Sequence, residues 1–117
     1  RNGYPKGKVT PGGRIIELMR KYPNLHGDLS AGSGCNAITR DPEFGSKFMT
    51  EFQDRLFFGS DICFAEMPFA AKQLLDEWLA EKRISETVYR KIARENAVKF
   101  FNLQTEKDDR AYREIPW

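Results

Sequence analysis

Leu56-Phe57-Phe58-Gly59-Ser60-Asp61 is the stretch on which the fold turns. An apolar run stops abruptly at Gly-Ser-Asp. A continuous apolar run suits a strand covered on both faces, which is the habit of parallel sheets. An earlier stretch, Leu25-His26-Gly27-Asp28-Leu29-Ser30, alternates instead. Leu25, Gly27 and Leu29 fall on one side of an extended chain, and His26, Asp28 and Ser30 on the other. A helix signal lies between the two stretches. Asp41 offers a capping carboxylate, and Pro42 suits a first helical position. Phe44, Phe48 and Phe52 follow at i+4 spacing with Met49 beside them, so the spacing predicts a helix from Pro42 to about Arg55. Strand, helix, strand makes a right-handed βαβ crossover with the strands parallel.

The pattern extends outward from this unit. Residues 1–13 hold several Gly and Pro and read as a loop. Ile15, Leu18, Met19 and Tyr22 mark one face of a helix that starts at Arg14 and stops before Pro23. Ala31 to Asn36 is rich in small residues and reads as a loop. Pro68 begins another helix, striped by Ala71, Leu74, Leu75, Trp78 and Leu79. Ser85 is a good N-cap for a last long helix, whose broad apolar face is Val88, Tyr89, Ile92, Ala93, Ala97, Phe100 and Phe101. Residues 104–117 form a polar tail until Ile115 and Trp117. The 117 residues suffice for one domain, 1–117, and no more.

Composition excludes several classes. With 40% hydrophobic and 31% charged residues the chain is neither disordered nor membrane-embedded. A net charge of +2, with Lys and Arg interleaved among Asp and Glu, argues against a nucleic-acid partner. Cys35 and Cys63 lack C-x-x-C spacing and read as buried or partly buried free thiols. The chain opens at Arg1 without Met and without the pattern of a signal peptide, which fits a mature protein or a fragment of a longer polypeptide, and a cytoplasmic location is expected.

Two short parallel strands make a poor sheet. Such strands normally sit inside larger sheets, and both edges of an isolated pair offer unpaired N–H and C=O groups. The chain therefore reads as the last βα units of a larger parallel α/β assembly. Either the remaining polypeptide or self-association covers the edges.

Asp61 is the first candidate for chemistry. It follows a buried strand directly, and parallel α/β folds bind ligands beyond the carboxyl ends of their strands. A carboxylate there can bind a metal or act as a general base. The competing role is a helix cap or a loop hydrogen bond. Asp28 and Ser30 close the neighbouring strand and are candidates for substrate contact or for capping. Cys63 and Glu66 lie in the loop after Asp61 and could touch substrate there. His26, the only histidine, stands at the other end of its strand, which favours a structural role. One histidine cannot supply the nitrogen ligands of a catalytic zinc.

Three segments together carry a resemblance. They are Tyr22-Pro23-Asn24-Leu25-His26-Gly27-Asp28-Leu29-Ser30, then Asp54-Arg55-Leu56-Phe57-Phe58-Gly59-Ser60-Asp61, then Glu95-Asn96-Ala97-Val98-Lys99-Phe100-Phe101. Over roughly Tyr4 to Leu103 the chain resembles the closing segments of the amidohydrolase-related metal-dependent hydrolases. It is more closely similar to the aminocarboxymuconate-semialdehyde decarboxylase-like branch. The resemblance implies an α/β chain, the C-terminal part of a (β/α)8 TIM barrel, with residues 25–30 and 56–61 as its last two strands. It implies that Asp61 is catalytic and binds or neighbours the divalent metal, such as zinc, of the complete protein. Asp28 matches an acidic position of less specific role, and Asn96 and Ala97 match a structural motif of the closing helix. The family's His-x-His pair and later histidines are not in this chain. The implied function is a fragment, inactive alone, of an enzyme that hydrolyses or non-oxidatively decarboxylates a small organic substrate. The alternative is a non-catalytic helical interaction module that binds a partner chain.

Overall fold

The computed structural model describes residues 3–10 and 13–103. The expectation of a tail over 104–117 lies outside them. The elements in order are α1 (Arg14–Lys21), β1 (Gly27–Asp28), α2 (Ala31–Thr39), α3 (Pro42–Glu51), β2 (Leu56–Phe57), α4 (Ala70–Ala80), α5 (Glu86–Arg90), a π-helical turn (Lys91–Glu95) and α6 (Asn96–Phe100). The chain is thus mostly helical with two parallel strands, paired Gly27 to Leu56 and Asp28 to Phe57. Gly27 N donates to Arg55 O and Leu29 N to Phe57 O, each at 2.9 Å. Both strands are shorter than the expected 25–30 and 56–61. A strand extends only as far as neighbouring strands take its hydrogen bonds, and among the described residues each of these two has only the other as a strand neighbour.

The helix between the strands begins as expected. Asp41 Oδ1 accepts the Phe44 amide at 3.2 Å, and Pro42 occupies the first turn. It stops at Glu51 rather than near Arg55, because Arg55 N turns back to Phe52 O to enter β2. Arg55 then ties the crossover to α1. Its Nη1 donates to Met19 O at 2.7 Å and Tyr22 O at 3.1 Å, a cation on the carbonyl end of a helix.

Further expectations are corrected or refined. Ala31 to Asn36 is not a loop but the body of α2. Its small residues permit close packing: a Cβ on Gly34 would lie 2.4 Å from Leu29 O, so the helix starts pressed against the end of β1. On α1 the buried residues are Ile16 and Met19, while Ile15 and Tyr22 are exposed, so the buried stripe is rotated from the expected one. The last helix runs unbroken from Glu86 to Phe100 as expected but widens into a π turn at Lys91–Glu95, and Phe100 and Phe101 at the end of its apolar face are exposed.

Met19, Met49, Leu56 and Ile92 are the largest fully buried side chains, and Ile38, Phe52, Trp78 and Val88 pack with them. Leu56 of β2 therefore lies at the centre of the core, with helices on its face of the sheet. Phe57 points to the opposite face, where its ring meets those of His26, Phe100 and Phe101.

Candidate functional site

The carboxyl ends of the two strands come together. After β1, the Asp28 carboxylate folds back so that Oδ1 accepts the Ser30 amide at 2.8 Å. After β2, the chain crosses directly over this turn. A Cβ on Gly59 would lie 2.9 Å from Asp28 Oδ1 and 2.9 Å from Ser30 Cβ. Only a residue without a side chain allows that approach. Asp28, Ser30 and Gly59 thus form one contact group, joined by the pleat of adjacent parallel strands.

Asp61 stands two residues beyond Gly59, exposed, with its backbone in the left-handed region at φ 52°. Asp tolerates that region better than most residues do. Ser60 Oγ accepts the Ile62 amide at 3.4 Å, and the Cys63 thiol donates to Asp61 O at 3.5 Å. The thiol therefore holds the main chain of Asp61, not its carboxylate. Cys63 is exposed in the loop between β2 and α4, which corrects the expectation of a buried or partly buried thiol there. Cys35 is half-buried, and burial pushes its thiol pKa up. Glu66 is exposed in the same loop as Cys63, and no hydrogen bond among the described residues ties it to the strand ends.

The donor set does not by itself fit a metal. Among the described residues no group of three or more His, Cys, Asp or Glu side chains converges. One Asp28 oxygen is already engaged by a backbone amide. His26 is remote in role: its ring stacks on Phe57 at 5.4 Å between centroids and meets Phe100 edge-on at 4.8 Å. Its Nδ1 faces Asn24 O at 3.0 Å.

Two surfaces around the site bear on completeness. The N–H and C=O groups of His26 and Asp28 point to the outer edge of β1, and among the described residues none of them is hydrogen-bonded. Beside that edge an apolar cleft of about 250 Å³, lined by Met19, Asp28, Leu29, Ile38, Phe48 and Leu56, reaches the Asp28 end of β1. The outer edge of β2 is different. Leu56 O accepts from Asn96 Nδ2 at 2.9 Å, and Phe58 N donates to Ile92 O at 3.0 Å. Residue reading alone missed this role of Asn96. The available signal was a polar residue on the apolar stripe of the closing helix. No described helix is long and apolar enough to cross a membrane.

The family model described as amidohydrolase matches residues 7–103 of the chain. No curated protein and no solved structure matches it.

Proposed function

The chain belongs to the amidohydrolase family, and from that premise we propose that it is the portion of a metal-dependent hydrolase-type enzyme that contributes Asp61 to the active site. The observation that carries this reading is the meeting of Asp28 and Ser30 with the Gly59–Asp61 turn, at the carboxyl ends of adjacent parallel strands. Ligands of parallel α/β folds bind at that end. Asp61 is an exposed carboxylate there, suited to bind a cation or to take a proton from a reacting group. Asp28 and Ser30 form the neighbouring wall for substrate, and Cys63 and Glu66 form the rim of the loop above it.

The parent enzyme acts on a small organic substrate by hydrolysis or by non-oxidative decarboxylation. The narrower decarboxylase-like branch is supported by the likeness of the three quoted segments. The remaining ligands of a divalent metal such as zinc come from polypeptide outside these residues, since this chain's own donors do not make a set. The open edge of β1 and its apolar cleft support a TIM-barrel fragment whose missing strands pair there. Free Cys35 and Cys63 suit a reducing compartment such as the cytoplasm.

The test is Asp61→Asn in the full-length protein. Turnover is expected to fall by about a hundredfold or more, as for loss of a general base, and metal measured by elemental analysis to fall well below the wild-type stoichiometry. A wild-type protein without stoichiometric metal and without turnover, in which Asp61→Asn changes nothing measurable, would instead favour the helical interaction module.

A further inference from the structure

We propose that Tyr4 is a specificity-determining residue of the site at the strand ends, contributed by a third loop, and that its ring packs against a flat apolar group of the substrate. The proposal rests on the reading of Asp28, Ser30 and Asp61 given above and adds to it a residue from another part of the chain.

The direction of α1 places the segment before it. Arg55, at the start of β2, donates to Met19 O and Tyr22 O at the carbonyl end of α1. That end of α1 therefore lies at the amino ends of the strands. Its first residues face the carboxyl ends, where Asp28 and Ser30 meet Gly59. α1 thus runs as the crossover helix that leads into β1. In a barrel, residues 3–10 then belong to the loop between the preceding strand and that helix, and such loops line the ligand site. A strand added at the outer edge of β1 keeps this placement, because the loop continues from the carboxyl end of that strand.

The contacts of the segment agree with its direction. The Tyr4 ring lies over the first turn of α2: a Cβ on Gly32 would be 3.6 Å from Tyr4 Cε2 and 3.9 Å from its hydroxyl oxygen. That turn is pressed against the end of β1, since Gly34 N donates to Ser30 O at 3.1 Å. From Tyr4 the chain runs along α2 and away from the strand ends. Asn36, one helical turn beyond Gly32, donates from Nδ2 to Pro5 O at 3.1 Å. Asp41, two residues past α2, accepts the Val9 amide at 2.9 Å. Both bonds hold the segment down, so the ring has a fixed place beside the turn that carries Ser30. The ring itself is 57% exposed and open to a ligand. A tyrosine ring offers a broad, rigid contact face with only two side-chain torsions to order. Asp61 faces the reacting end of the substrate, and Tyr4 takes the end remote from it.

The test uses the full-length protein in its metal-loaded form and two probes, acetohydroxamate and benzohydroxamate. They share one metal-chelating group and differ by a flat ring. Dissociation constants are read by calorimetry. Benzohydroxamate is expected to bind the wild type about tenfold tighter, the size of one aromatic contact. Tyr4→Ala is expected to erase that preference and to leave the acetohydroxamate value unchanged. Tyr4→Phe keeps the ring and is expected to keep the preference. Tyr4 is exposed, so neither substitution opens the core. Equal affinity of the wild type for both probes, a preference that survives in Tyr4→Ala, or one lost in Tyr4→Phe overturns the proposal. The site reading survives each of these results, because acetohydroxamate still reports the metal. Failure of both probes to bind the wild type sinks the site reading and the proposal together.

Discussion

Gly59 and Gly45 are both closed to a side chain, for different reasons that predict different costs. A Cβ on Gly59 meets Asp28 Oδ1, the end of a side chain that can move aside, and Ser30 Cβ, which moves only with its backbone. A Cβ on Gly45 would lie 2.2 Å from Ile38 O and 2.9 Å from the Trp78 ring. The first of these is backbone, which yields less readily. Gly45→Ala is therefore expected to destabilise the fold by about 3 kcal/mol and Gly59→Ala by about 1 kcal/mol, the upper and lower ends of overpacking costs. Urea denaturation of both variants checks the order. Gly59 was legible in the sequence as a turn residue, because it ends an apolar run before Ser60-Asp61. The close packing at Gly45 was not, since nothing in a phenylalanine-rich helix says where the carbonyl of another helix passes. The Asp61 loop shows the same limit. Its place after the strand could be read, whereas the bond from the Cys63 thiol to Asp61 O needed the folded chain.

At the scale of elements, the caps are where local chemistry and structure agree. Ser85 Oγ accepts the Val88 amide at 3.2 Å, and Ser85→Ala is expected to cost about 1 kcal/mol, read as a lowered urea midpoint. Asp41 caps α3 and also takes the Val9 amide at 2.9 Å. The Val9 and Phe44 amides hold its carboxyl below the usual carboxylate range. A depressed folded pKa means that the stabilisation is present above the unfolded value of about 4 and is lost as pH falls through the lower folded value. Stability measured from about pH 5 downward is therefore expected to decline, and Asp41→Asn to flatten that part of the decline. Caps could be read because they are set by a few adjacent residues. The identity of α2 could not, because a run of Ala, Gly, Ser and Cys has weak local preference and is helical here through contact with α3 and α4 and with Leu29 just after β1. The π turn was hidden for a related reason. A helix stripe of Val88, Ile92 and Ala93 continues through it, and only the folded chain shows Asn96 N reaching back five residues to Lys91 O.

At the scale of the whole molecule, the parallel pairing and the crossover were legible, because an apolar run and a capped helix between two strands leave few other arrangements. The length of the strands was not, because it depends on neighbours. The two edges of the sheet differ in what they demand. At β2 the Leu56 carbonyl retains a lone pair beside its bond from Asn96, but the Phe58 amide has a single proton, already given to Ile92 O. A strand added on that side shares the first group and displaces the second. At β1 the backbone groups of His26 and Asp28 have no partner among the described residues, and the apolar cleft lies alongside them. A parallel strand added there satisfies the groups and covers the cleft, and it brings further strand ends toward Asp28 and Asp61. Hydrogen exchange at the His26 and Asp28 amides in the full-length protein tests this most directly. Protection of about a hundredfold or more over the unfolded chain is expected, as for amides inside a sheet. Exchange of both amides at the unprotected rate in that protein would contradict the account.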